Sequence, residues 1–78
     1  MSNTTLIPAV SSDQALSIAQ ADAVRVYRDL TQYSIRISLE SEGWHVDYEV
    51  KSSGQKGGGP RYIIDATTGT ILEKKYYQ

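Results

Sequence analysis

The feature that most constrains this chain is a change of hydrophobic period at Gln32. Over residues 11–32, Ala15, Leu16, Ala19, Ala23, Val26, Tyr27 and Leu30 fall within an arc of about 120° on a helical wheel, while Asp13, Gln14, Ser17, Gln20, Arg25 and Arg28 lie off it. One amphipathic helix with a single buried stripe is expected. Ser11 with Gln14 three positions on fits a capping box, in which each residue's side chain bonds the other's backbone amide, so the helix should begin near Ser12. Alanines at 15, 19 and 23 would let its axis approach closely whatever it covers.

Beyond Gln32 the period is 2. Ile35, Ile37 and Leu39 alternate with Ser34, Arg36, Ser38 and Glu40, and after a turn through Ser41, Glu42 and Gly43 the pattern resumes. In that second strand Trp44, Val46, Tyr48 and Val50 alternate with His45, Asp47, Glu49 and Lys51. Residues 52–59 read SSGQKGGG, with nothing to pack, and are expected to form a mobile loop. Tyr62, Ile63 and Ile64 give a third strand, residues 65–69 a turn, and residues 70–77 a fourth strand. The fold class is α+β, one N-terminal helix packed on a four-stranded antiparallel sheet in the order α-β-β-β-β. The expected core is Leu16, Ala19, Ala23, Val26 and Leu30 against Ile35, Ile37, Leu39, Trp44, Val46, Tyr48, Val50, Ile64 and Leu72. One helix covers one sheet face. The other should carry Arg36, His45, Asp47, Glu49, Lys51 and Arg61, with some of Ile63, Ile71 and Tyr77.

A length of 78 residues leaves room for a single domain, here residues 11–78 after a flexible N-terminal segment, residues 1–10. A hydrophobic content of 40% argues against intrinsic disorder, and zero cysteines exclude disulfide staples and thiolate metal sites. Eight Lys and Arg against nine Asp and Glu give a net charge of -1, which supplies no field to draw the chain to phosphates, so nucleic acid is not the expected partner. No apolar run approaches the roughly 20 residues that span a bilayer, and no membrane insertion is expected. The first ten residues hold no Lys or Arg, and residues 6–10 are too short for a signal-peptide core. The expected location is the cytoplasm, or the periplasm or exterior if a leader has been removed.

The helix with Ala15 and Ala19, the alternating strand from Gly43 through Trp44, His45, Val46, Asp47, Tyr48, Glu49 and Val50, and the closing hairpin with Tyr62, Ile63, Ile64, Asp65, Ala66, Gly69, Ile71 and Leu72 together resemble the PepSY domain family. The resemblance runs over roughly residues 11–75. It implies a small cystatin-like fold and a non-enzymatic protein-interaction module that regulates or inhibits a peptidase. Trp44 with Val46, the run Gly57, Gly58, Gly59, Pro60, and Asp65 with Gly69 and Ile71 also resemble short NTF2-like bacterial immunity proteins, which implies neutralisation of a cognate toxin. The chain is too short for the extra helices and deep cavity of full NTF2-like domains, and shows neither the leader nor the attached peptidase or membrane part of many PepSY proteins.

His45, Asp47 and Glu49 share a strand face with neighbours about 6.5 to 7 Å apart, which supports an alternative reading as a small-ligand or metal-binding domain. The chain has one His and no Cys, so these three would need further donors, and the stronger expectation is a solvated face with cross-strand partners in Arg36 or Arg61. No catalytic residue, metal or cofactor is assigned: His45 is the sole imidazole, and the glycine run leads through Pro60 into a strand rather than into a helix N-terminus with a following Lys. Asp65 and Gly69 define the last turn, by accepting backbone amides and by taking the left-handed conformation. Six Tyr and one Trp without a Phe make the aromatic content unusually amphipathic, which suits an interface. The candidate protein-binding residues are Lys56, Gly57, Gly58, Gly59, Arg61, Ile63, Tyr76 and Tyr77, for a peptidase or toxin partner. A weak homodimer through the bare sheet face or a sheet edge is also expected.

Overall fold

A computed structural model describes residues 8–27, 29–51 and 58–76. The elements are α1 (Ser12–Val26), β1 (Tyr33–Glu40), β2 (Gly43–Val50), β3 (Gly58–Ile64) and β4 (Ile71–Lys75). The four strands form one antiparallel sheet in sequence order. Among the described residues, no helix is long and apolar enough to cross a membrane.

The helix begins with both halves of the capping box: Gln14 N–H donates to Ser11 Oγ at 3.1 Å, and Ser11 N–H donates to Gln14 Oε1 at 2.8 Å. It ends one turn before the apolar stripe does. Tyr27 is already extended at φ -112, and Asp29 Oδ1 takes both the backbone N–H and the hydroxyl of Thr31, at 2.9 and 2.6 Å. That local bonding competes with continued helix and places Leu30 in the connection to β1.

Ala15, Ala19 and Ala23 are fully buried, so the helix axis lies close over the two central strands, β2 and β3. They pack with Val10, Val46, Tyr48, Tyr62 and Ile64, flanked by Leu16, Ile18, Leu30, Tyr33, Ile37, Trp44 and Ile71. Five expected core residues lie outside this set: Val26, Ile35, Leu39 and Leu72 are each about half exposed, and Val50, at the end of β2, is only partly buried. Ile35 and Leu39 sit on the helix side of β1, beyond the flank that a single narrow helix covers. Leu72 is displaced by a register shift, since Ile63 faces Glu73 whereas Ile64 faces Ile71, which leaves Leu72 as the extra residue of a β-bulge. The same bulge turns Ile71 inward, although alternation alone assigned it to the uncovered face.

β3 starts earlier than its aromatic residues suggest, so Gly58 and Gly59 belong to a strand rather than to a loop. Gly59 is buried because it gives room to tyrosines: a Cβ there would lie 2.8 Å from Tyr48 Cβ and 2.9 Å from Tyr33 Cε1. Pro60 sits in this central strand beside a second register shift, between Asp47 and Glu49 of β2, where its missing N–H interrupts no regular ladder. The chain also joins the fold before the helix. Val10 is buried, its N–H donates to Ala66 O, and its carbonyl accepts from Trp44 Nε1, both at 2.8 Å.

Candidate functional site

The sheet face away from α1 is built by the odd residues of β2 and β3 and their β4 partners. His45 faces Ile63, Asp47 faces Arg61, Arg61 faces Lys75 and Ile63 faces Glu73. Together with Tyr62, these residues line a shallow hollow of about 200 Å³. Its charges are paired with one another. Arg61 Nε and Nη2 donate to the two Asp47 carboxylate oxygens at 3.0 and 3.3 Å, a fork geometry that fixes both planes. His45 Nε2 donates to Glu42 Oε1 at 3.0 Å, Arg36 lies 3.8 Å from Glu49, and Lys75 lies 3.6 Å from Glu73. Glu42 is held below its ordinary value by hydrogen bonds from its own backbone amide and from His45. Ile63, half-buried, gives the hollow an apolar centre.

His45, Asp47 and Glu49 therefore each turn to a different partner, and among the described residues no group of three His, Cys, Asp or Glu side chains is placed to hold a metal ion. Of the sequence-derived binding residues, the structure brings Arg61 and Ile63 together in the hollow. Gly58 and Gly59 lie at the opposite end of β3, and Tyr76 is on the helix side; Lys56, Gly57 and Tyr77 fall outside the described residues. At the last turn, Asp65 Oδ1 accepts the N–H groups of Thr67 and Thr68 at 2.7 and 3.0 Å, which holds its carboxyl below the usual range, and Gly69 has φ +81.

A second polar centre, on the helix side, went unread in the sequence. Asp22 Oδ2 accepts from the Tyr76 hydroxyl at 2.5 Å and from the Tyr62 hydroxyl at 2.9 Å, while Lys74 Nζ donates to Oδ1 at 3.3 Å. The Tyr76 bond is the largest cause of a carboxyl held below its ordinary value, with Tyr62 and Lys74 adding to it against the opposing effect of burial. In turn the Tyr62 phenol is pushed far above its ordinary value, by burial first and by Asp22 second. Five tyrosines connect around this acid. Ring centroids lie 6.4 Å apart for Tyr62 and Tyr48, 6.3 Å for Tyr48 and Tyr33, 6.0 Å for Tyr33 and Tyr27, and 6.1 Å for Tyr27 and Tyr76. The Tyr48 hydroxyl within this array is buried without a hydrogen-bond partner among the described residues, and burial raises its pKa. With its oxygens taken by three donors, Asp22 is a fastener between α1, β3 and the end of β4, not a free base. The available signal was an acid on the border of the apolar arc, one turn from Ile18.

The family model for the peptidase propeptide and YPEB domain, PepSY, matches residues 9–75, which takes in the helix, all four strands and the Val10 anchor. No curated protein and no solved structure matches the chain. With a family match over most of its length and a helix laid across a four-stranded antiparallel meander, the chain belongs to the PepSY family.

Proposed function

We propose that this domain is a non-enzymatic protein-interaction module that presents its uncovered sheet face to a peptidase and regulates it. The observation that carries the reading is the division of the sheet. One face is consumed by the helix, while the other displays a half-buried isoleucine framed by ion pairs, the forked Arg61 with Asp47 across β2 and β3 and the looser Lys75 with Glu73 along β4. Charges that pair with one another, rather than converging on one point, suit recognition of a complementary surface better than bond-making. The peptidase class of the partner rests on the family's description as a peptidase propeptide domain.

A photo-crosslinking residue placed at Ile63 in the source cells, with a control at Val24 on the exposed helix surface, tests this directly. The expected result is a peptidase cross-linked from position 63 alone, whose activity changes when the purified domain is added. Recovery of a toxin from position 63 would replace regulation by immunity, and equal capture from both positions would remove the open face as the binding surface.

A further inference from the structure

The two edges of the sheet are built differently. β4 carries devices that discourage another strand from adding to it: it is five residues long, holds a bulge at Leu72, and ends in Lys74 and Lys75. β1 has none of them. Its eight residues, YSIRISLE, pair with β2 without a register shift, contain no proline or lysine, and leave Ile35 and Leu39 half exposed. Among the described residues no strand lies on its outer side.

The hydrogen-bond phase of β1 is fixed by its first rung. Lys51 N–H donates to Gln32 O at 3.0 Å, so residue 32 and the even-numbered residues of β1 direct their N–H and C=O groups toward β2. The odd-numbered residues therefore point theirs outward. Tyr33 spends its N–H on Leu30 O at 3.1 Å. The remaining outward set is Ile35, Ile37 and Leu39, symmetric about Ile37.

We propose that β1 pairs antiparallel with β1 of a second copy of this chain about a two-fold axis through Ile37, giving a continuous eight-stranded sheet. This is the one antiparallel register in which all three outward-facing residues find partners, Ile35 with Leu39 of the other copy, Ile37 with its own counterpart, and Leu39 with Ile35. Side chains agree with it. On the helix side the two half-exposed residues meet each other, Ile35 against Leu39 twice, and form an apolar floor between the two helices, which lie on the same face. On the opposite side Arg36 faces Ser38, and Ser34 faces Glu40, so no like charges are directly opposed, and Arg36 lies diagonal to Glu40 of the other copy as well as to its own counterpart. Shifting the register by two toward Tyr33 would set Arg36 against Arg36. The proposal is independent of the peptidase reading, since the open-face hollow lies on β2 to β4 and stays uncovered in the dimer. A single shared strand edge makes a small interface, so the association is weak and visible only at high protein concentration.

Sedimentation across a concentration series, with amide exchange at its two ends, tests this. The expected result is a monomer-dimer equilibrium in which the Ile35, Ile37 and Leu39 amides exchange quickly when dilute and become protected when concentrated. Leu39→Lys, at a position already half exposed, should abolish the dimer while leaving the melting temperature within a few degrees. A spin label on Ser38→Cys should be dipolar-broadened at high concentration, since the two copies of residue 38 are diagonal neighbours about 7 to 8 Å apart, whereas a label on Thr67→Cys in the far turn should not. A monomer throughout the series would overturn the proposal. So would a dimer that survives Leu39→Lys, or one in which protection appears on β4 amides or is lost with Ile63→Glu.

Discussion

Asp22 couples three parts of the chain through one side chain. Because it accepts from a buried phenol, an exposed phenol and an ammonium, removing it strands the most deeply buried donor. Asp22→Ala should destabilise the domain by about 1 to 3 kcal/mol, the cost of leaving the Tyr62 hydroxyl unsatisfied, whereas Tyr62→Phe should cost about 0.5 to 1.5 kcal/mol because the acid keeps its other two donors. Urea unfolding of both variants and of the double variant would separate the terms, with a double cost below the sum of the singles. The carboxyl is held below its ordinary value of 3.8, so its bonds are fully present above that pH and are lost as pH falls through the lower folded-state value. Thermal melts from pH 6 to pH 2 should therefore show a stability decline at the acid end that is shallower in Asp22→Asn.

At the scale of the elements, residues differ in worth according to irregularities of the ladder. Ile64 and Leu72 are both aliphatic residues of the closing hairpin, yet only Ile64 is fully buried. Ile64→Ala should cost about 2 to 5 kcal/mol and Leu72→Ala less than about 1 kcal/mol, read from denaturant midpoints. Gly59→Ala should be destabilising by about 1 to 3 kcal/mol, since its methyl group would overlap Tyr33 and Tyr48. These contrasts mark where the sequence was legible. The α-β-β-β-β order, the capping box and the inward set Val46, Tyr48 and Ile64 follow from period and cap chemistry, both of which are local. The outward turn of Leu72 and the inward turn of Ile71 follow from a bulge, and a one-residue slip reverses which face a side chain takes without changing composition or period. Ile35 and Leu39 keep a perfect alternation but lie where the helix does not reach, a matter of width rather than pattern. Asp22 was hidden because its three partners lie 40, 52 and 54 residues away.

If the open face is the recognition surface, as proposed, the whole molecule separates stability from recognition by face. The helix side holds the core and the tyrosine array; the other side holds exposed or half-exposed ion pairs, which contribute little to folding. Asp47→Ala should accordingly change stability by no more than about 1 kcal/mol while weakening capture of the partner, measured by comparing its melt with its cross-linking yield. The anchor before the helix has an optical consequence. Trp44 is the only tryptophan, and its indole N–H donates to the Val10 carbonyl, so its fluorescence reports on the seating of the segment that enters the fold at the last turn. Loosening of residues 8–10, by a partner or by substitution of Val10, would release the indole to water and shift its emission to the red while the sheet stayed intact. The chain thus carries its own intrinsic probe at the entry to the domain, readable without a label.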